Sequence, residues 1–353
     1  MKTELATDIR TIIHIITKSE VGGAQTWVYN LCKLFPEYNH VLITSEEGWL
    51  TNKNVFKEVH ILKGLTSYSD FLLPFKLNRI ISKYTDEALI ISSSAHAGLY
   101  SRLAQIGSKQ KPIYVSHGWS CLYQKSLLRH IFINIERFLA YQSLAILCVS
   151  EADRDLAINI IKIPKDKTVL IKNKTFPLDF ISHTKVIDKH DYKLNLLFLA
   201  RLAAPKRLDL LIDVIDNLEL NVVLHVVGDG ELRQALEDKA DPNKVVFYGN
   251  VENFNDFSSL DGFCLISDSE GLPMSAIEAA YHGLPLLLSN VGGCRELISD
   301  NGVLTTNNVP DLEKSLALFC ENILEFKKSA ESIKHNFDMS KSRSEYEILF
   351  DYR

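Results

Sequence analysis

The chain has 353 residues, 46% of them apolar and 24% charged, with a net charge of −5 at neutral pH. That length exceeds what one hydrophobic core usually holds and points to two domains of ordinary size. The composition excludes a disordered or low-complexity chain, and no apolar run approaches the roughly 18 residues of a membrane span.

The net charge hides an asymmetry. Residues 1–185 carry 23 Lys and Arg against 16 Asp and Glu, a balance of +7, and the remainder carries a balance of −12. Between Ser101 and Ser150, six basic residues face the single acid Glu136. Such a half meets nucleic acid, an anionic membrane surface or a phosphorylated substrate, or is a solvated surface without a partner. Nucleic acid fits poorly, because no recognised module and no aromatic–basic interleaving occurs. The six cysteines (Cys32, Cys121, Cys148, Cys264, Cys294, Cys320) show no CxxC spacing, and several fall in apolar runs. Reduced, mostly buried thiols fit that pattern better than a disulfide frame or a zinc site. The stretch MKTELATDIR is polar and lacks a signal-peptide core, so a cytoplasmic location is expected.

In chain order, TIIHII (11–16) reads as a strand, TKSEVGGAQ as a loop and TWVYNLCKLF as an amphipathic helix. Strands follow at HVLITS (40–45), ALIISS (88–93), PIYVS (112–116), SLAILCVS (143–150) and TVLIKN (168–173), the intervening stretches being compatible with helix. Short, nearly continuous apolar strands separated by helices are what a parallel sheet covered on both faces requires. From Lys174 to Lys193 the pattern breaks, and this stretch is taken as an interdomain linker. The alternation restarts with LNLLFLA (194–200), a helix over 207–218, NVVLHVVG (221–228), a helix from Glu231, VVFYG (245–249) and GFCLIS (262–267). Two tandem Rossmann-like, doubly wound α/β domains result, with ligands expected at the carboxyl ends of the strands and hence in a central cleft.

The most informative stretch is SDSEGLPMSAIEAAYHGLP (267–285), which sets Glu270 and Glu278 eight positions apart across a loop-to-helix boundary. Pro273 is placed to start the helix, where its missing N–H costs nothing. Asp268-Ser269-Glu270 superficially resembles a D-x-D metal motif, but no further carboxylate or His cluster is nearby, and Glu270 serves better as an acceptor for sugar hydroxyls. Gly22-Gly23, between the first strand and helix, admits either an anion at a helix N-terminus or a plain tight turn. Arg201 and Lys206 follow the strand over 194–200 and suit a diphosphate, a forked guanidinium plus a point charge, unless they form a solvated basic turn. His117, after PIYVS and before Gly118, can bond a sugar or phosphate or move a proton; a lone His is more often structural, but the position at a strand end before a glycine favours the ligand-facing reading. Two segments, DFLLPFKLNRIISKY (70–84) and Leu122–Leu139, are apolar with basic flanks. Each is a core-facing helix or an interfacial one on an anionic bilayer.

Taken together, Gly-Gly, His-Gly, Arg…Lys, GDG (228–230), FYGNV (247–251), EGLP…Glu278 and Val291-Gly292-Gly293…Glu296 resemble the retaining family 4 (group 1) glycosyltransferases of the GT-B fold. The resemblance covers nearly the whole chain. It implies an N-terminal acceptor-side domain over 1–178 and a nucleotide-sugar-binding domain over 190–339, with a C-terminal helix (340–353) packing back on the first. By the same resemblance, Gly22 and Gly23 contact the donor diphosphate, Arg201 and Lys206 grip it, and Glu270 binds hydroxyls of the transferred sugar. The free N–H groups of Gly271, Leu272 and Met274 surround sugar and phosphates, Glu278 binds the ribose, Val251 sits by the base, and His117 stands next to the anomeric carbon. Ala200 and Arg207 replace the family's usual glycines; Arg207 adds a phosphate or acceptor contact.

Within the family, TKSEVGGAQTW and SHGWSCLY resemble bacterial enzymes of O-antigen assembly. These transfer N-acetylgalactosamine from UDP, in α1,3 linkage, to a sugar on undecaprenyl diphosphate. The resemblance implies no cofactor and no metal, a peripheral place on the inner face of the cytoplasmic membrane, and a lipid-diphosphate-linked acceptor. A nucleotide-sugar epimerase of similar build and a non-catalytic nucleotide-sugar-binding protein are the competing classes.

Overall fold

The structure is a computed structural model that describes residues 10–67, 70–85, 87–123, 126–176 and 193–351, and the backbone alone at residues 123, 126 and 127. The chain divides into two compact units, Met1–Lys172 with Met339–Arg353, and Asn173–Asp338. Of the expected linker Lys174–Lys193, residues 177–192 lie outside the described residues. Its beginning belongs to the second unit, where the Thr175 N–H donates to Phe337 O at 2.9 Å.

The first unit runs β1 (Thr11–Ile15), α1 (Gly23–Leu34), β2 (Asn39–Thr44), β3 (Glu58–Ile61), α2 (Leu73–Ile81), β4 (Leu89–Ser92), α3 (Ala95–Ala104), β5 (Ile113–Ser116), α4 (Ser126–Ala140), β6 (Ile146–Cys148), α5 (Glu151–Leu156) and β7 (Thr168–Leu170). The second runs β8 (Leu194–Leu199), α6 (Leu208–Asn217), β9 (Val222–Val227), α7 (Arg233–Lys239), β10 (Val245–Gly249), β11 (Gly262–Leu265), α8 (Met274–Tyr281), β12 (Leu286–Ser289), β13 (Gly302–Thr305), α9 (Val309–Glu321) and α10 (Ile323–Ile333). A last helix, α11 (Arg343–Phe350), belongs to the first unit.

Each unit holds one parallel sheet, ordered β3-β2-β1-β4-β5-β6-β7 in the first and β10-β9-β8-β11-β12-β13 in the second. The strand order therefore reverses between β1 and β4, and again between β8 and β11. At such a reversal the flanking loops diverge and open a crevice beyond the carboxyl ends of the strands.

The apolar runs form the central strands because both faces are covered: Ile12, Ile13, Ile15, Leu196, Leu197 and Phe198 are fully buried. Helix α1 buries Trp27, Val28, Leu31, Cys32 and Leu34, the stripe of a helix lying on a sheet. Helix α11 covers it further, with Trp27 Nε1 donating to the Tyr346 hydroxyl at 3.1 Å and Arg343 donating to Leu34 O at 2.6 Å.

Three features depart from the sequence reading. Strands β3 and β13 were not expected. Both lie at sheet edges, where one-sided cover removes the continuous apolar run. Helix α1 begins at Gly23 rather than Thr26, so Gly22 is its N-cap and Gly23 its first residue. Pro273 is likewise the N-cap of α8 and not its first residue.

Candidate active site

In the second unit the loops flanking the strand-order reversal are those after β8 (residues 200–207) and after β11 (266–273). They are tied backbone to backbone: Arg207 N–H donates to Ile266 O at 2.8 Å, Asp268 N–H donates to Pro205 O at 2.9 Å, and Lys206 bridges Ser267. This register carries the Lys206 ammonium to the Glu270 carboxylate, with which it forms an ion pair. The Lys206 and Glu270 side chains keep only 19% and 9% of their accessible surface.

The three cations of the first loop therefore stand in different states. Arg201 is exposed, and its guanidinium has no ion-pair or hydrogen-bond partner among the described residues. Arg207, expected to add a ligand contact, is instead bonded to Asp209 (2.9 Å) and Asp268 (3.4 Å) of its own unit. Asp268 also accepts from Asn307 Nδ2 at 2.8 Å, so the two acids of the D-x-E sequence engage different partners.

Helix α8 starts directly behind this pair. Its first intrahelical bond is Ile277 N–H to Pro273 O at 3.1 Å, and the cap is a proline with no side-chain bond. The N–H groups of Gly271, Leu272 and Met274 make no hydrogen bond among the described residues. An uncapped N-terminus with free donors carries partial positive charge and suits an anion.

The approach to it is held by glycines and amides. Gly292, at φ +50°, lies where a Cβ would come 1.8 Å from Glu270 O, and the Gly293 N–H donates to Gly271 O at 2.8 Å. Asn173 Nδ2 donates to Leu272 O at 3.3 Å, and the Asn173 Oδ1 is buried without a partner among the described residues. Ser289 and Asn307 hold the end of β11, with Ser289 Oγ accepting from Ser267 N–H at 3.0 Å and Asn307 Nδ2 donating to Ser267 O at 2.9 Å. None of these three supports was found from sequence; the signal available was a polar residue just past an apolar run.

Glu278 lies one turn into α8, and burial without a cation pushes its carboxyl up to about 7. Gly228, after β9, has φ +139°, and a Cβ there would come 1.9 Å from Ala200 O, so only glycine lets the loops after β8 and β9 approach this closely. Val251 is half-buried in the loop after β10.

In the first unit, Gly22 caps α1 with no side-chain bond, which leaves the N–H groups ahead of the Thr26 N–H to Gly22 O bond (2.9 Å) without intrahelical acceptors. Gly22 is extended (φ −177°) and meets only the end of the Gln25 side chain, so its role is an open backbone rather than a forced turn. His117 stands edge-on to Trp27 at 5.5 Å between ring centroids, and its Nε2 is buried without a partner among the described residues. Burial pushes its imidazole down to about 4, so the ring is neutral at physiological pH and offers a hydrogen bond rather than a charge.

One further polar cluster was not legible. His14, Cys32 and His40 are buried with their potential metal-ligating atoms within 4.8 Å of one another. His40 Nε2 lies 2.8 Å from Phe35 O and must donate to it, which leaves His40 Nδ1 to accept from His14 Nε2 at 3.0 Å. Burial lowers both imidazole pKa values, as this neutral chain requires. All six cysteines are free, five of them buried.

This chain matches Glycosyltransferase Family 4 over residues 21–173 and Glycosyl transferases group 1 over residues 193–322. It belongs to the family 4, group 1 glycosyltransferases, and each unit supplies one of the two Rossmann-like domains of the GT-B fold. The O-antigen biosynthesis glycosyltransferase WbnH of Escherichia coli is 40% identical over 343 residues, covering 97% of this chain and 99% of that one. A Campylobacter jejuni enzyme, GalNAc-alpha-(1->4)-GalNAc-alpha-(1->3)-diNAcBac-PP-undecaprenol alpha-1,4-N-acetyl-D-galactosaminyltransferase, is 39% identical over 89 residues, 24% of this chain and 25% of its own. Anabaena HepE, solved with UDP, shares the fold at a TM-score of 0.79 and 18% identity, covering 97% of this chain and 100% of that one.

Proposed function

We propose that this glycosyltransferase is a retaining enzyme that moves N-acetylgalactosamine from UDP to a sugar on undecaprenyl diphosphate, in α1,3 linkage, during O-antigen or related surface-polysaccharide synthesis. The observation that carries the donor part is the corner in the second unit. There an exposed Arg201, the Lys206–Glu270 pair and the N–H groups of Gly271, Leu272 and Met274, unbonded among the described residues, lie at one strand-order reversal. The O-antigen role of WbnH supports the pathway, and the diphosphate-undecaprenol acceptor and GalNAc of the Campylobacter enzyme support the substrates.

In this reading Arg201 and Lys206 take the diphosphate, Gly271, Leu272 and Met274 donate to phosphate and sugar oxygens, Glu270 accepts from sugar hydroxyls, and Glu278 accepts from the ribose. Val251 lies by the base. Gly22 and Gly23 add backbone donors to the diphosphate, and His117 bonds the sugar as a neutral ring. The bond from the anomeric carbon to the diphosphate breaks on the face where the acceptor oxygen bonds. The acceptor's hydroxyl proton passes to the leaving diphosphate, and UDP departs. The growing charge on that phosphate is met by Arg201 and Lys206, so the step calls for no metal and no cofactor.

No helix among the described residues is long and apolar enough to cross a membrane. Contact with the inner face of the cytoplasmic membrane is assigned instead to exposed apolar side chains of the first unit: Phe71, Leu72 and Phe75 at α2, and Leu128, Ile131 and Phe138 on α4. Lys76, Arg79, Arg129 and Arg137 accompany them, as binding to anionic lipid requires.

The test is incubation with UDP-hexoses and UDP-N-acetylhexosamines, with and without a short-chain lipid-diphosphate sugar. Transfer of N-acetylgalactosamine only when acceptor is present is the expected result. Interconversion of UDP-sugars without acceptor would identify an epimerase, and binding without any turnover a non-catalytic protein.

A further inference from the structure

In the reading above, Glu270 serves the sugar and Lys206 serves the diphosphate, yet in the structure these two residues serve each other. The pairing is built into the backbone. The Lys206–Ser267 bridge and the Arg207 N–H to Ile266 O bond fix the loop that carries the ammonium. Gly292 packed on Glu270 O and the Gly293 N–H on Gly271 O fix the loop that carries the carboxylate.

No neighbour relieves the pair of its task. Arg207 is occupied by Asp209 and Asp268, Arg201 points to solvent, and the buried Cys294 thiol beside the pair is pushed up by burial and by the Glu270 charge, so it stays neutral. With so little accessible surface, charges at this pair are poorly screened.

A nucleotide sugar meets this arrangement with two groups at once. Its hydroxyls donate to Glu270, and its phosphate oxygens accept from Lys206, whose ammonium has three protons to share. Bare UDP brings no hydroxyl donor for Glu270. Having lost its sugar, it carries one more anionic oxygen than it did as the donor's diphosphate. The Glu270 carboxylate then opposes it twice, by retaining Lys206 and by like charge.

We infer that Glu270, through its ion pair with Lys206, is the residue that discriminates the sugar-bearing nucleotide from bare UDP, and so promotes release of the product. The inference rests on the donor assignment made above. It adds to Glu270 the role of a competitor for Lys206, besides that of a sugar contact.

The two roles differ for UDP: loss of a sugar contact leaves its affinity unchanged, whereas loss of the competitor for Lys206 raises it. Calorimetric titration of the full chain with UDP, and with UDP-N-acetylgalactosamine, would be carried out on wild type, Glu270→Gln, Glu270→Ala, Lys206→Met and the Lys206→Met/Glu270→Gln double variant. Melting curves on each exclude misfolding, and Glu270→Ala serves if Glu270→Gln is poorly folded. Glu270→Gln is expected to bind UDP about 3- to 10-fold tighter, as removal of a close like charge does, while its affinity for the sugar nucleotide falls. In the Lys206→Met background the gain for UDP is expected to be smaller, because the like-charge part alone remains and no ammonium is left to be set free. UDP binding that is unchanged or weaker in Glu270→Gln and Glu270→Ala overturns the inference. A gain that persists undiminished without Lys206 also overturns the part played by the ion pair. If wild type binds no UDP at all, the donor assignment itself fails.

Discussion

At the scale of single residues, charge state separates groups that the sequence presents alike. Arg201 and Lys206 are both cations of one loop, but Arg201 is exposed and unpaired among the described residues while Lys206 is held by a carboxylate. Arg201→Ala therefore removes no side-chain hydrogen bond or ion pair among the described residues. It is expected to leave the melting temperature unchanged and lower kcat/KM about 100- to 1000-fold, the usual cost of losing one donor to a developing oxyanion. Steady-state kinetics beside a melting curve checks both halves.

Glu278 gives a second residue-scale prediction. Its carboxyl titrates near 7 in the folded chain against 4.5 unperturbed. The unfolded chain therefore loses this proton first as pH rises, and the folded chain becomes less stable from about pH 4.5 to beyond 7. The loss amounts to about 3 kcal/mol when complete. Glu278→Gln should thus gain stability over wild type between pH 5 and pH 8, measured by chemical denaturation. If Glu278 accepts from the ribose as proposed, its ionised form does so more strongly, and UDP affinity should rise with pH through 7 more steeply in wild type than in Glu278→Gln. A flat wild-type profile would remove the ribose assignment.

At the scale of elements, what could be read from the sequence follows from burial. Central strands such as β1, β4, β8 and β9 are covered on both faces and announce themselves as apolar runs, whereas β3 exposes most of its residues and has no such run. The Gly-Gly pair read as loop opens α1, because glycine has poor helix propensity and only the packing of Trp27 and Val28 behind it reveals the helix.

Helices α2 and α4 show the limit of periodicity. Their apolar residues recur at helical spacing, but the pattern cannot say which face meets the core. The structure buries Leu73, Leu77, Ile81 and Leu139 and leaves Phe71, Phe75, Leu128 and Phe138 exposed, Phe71 at 87%. If those side chains reach into a bilayer, the combined Phe71→Ser, Phe75→Ser and Phe138→Ser variant should lose flotation with anionic liposomes at low salt and keep UDP affinity. Equal flotation of the variant, or no flotation of wild type, would remove the membrane assignment.

At the scale of the whole molecule, two α/β units and their parallel sheets were legible because alternation of strand and helix survives in any single sequence. Arg201, Lys206 and Glu270 were legible as charged residues in the loops that follow strand ends, and Glu278 as a carboxylate in the helix after them. How they engage one another was not. Lys206 and Glu270 are 64 positions apart, and only the register between the loops after β8 and β11 brings them into contact. For the same reason Arg207 looked available to a ligand and proved to be spent on Asp209 and Asp268.

The central claim is transfer with retention, and the product itself tests it most directly. Wild type would be incubated with UDP-N-acetylgalactosamine and a short-chain lipid-diphosphate-linked sugar, and the anomeric configuration and linkage of the purified product read by NMR. A new α1,3-linked N-acetylgalactosamine, formed with one equivalent of UDP released, is the predicted result. A β-linked product would contradict the front-face displacement, and release of free sugar with no glycosidic bond to the acceptor would contradict the acceptor assignment.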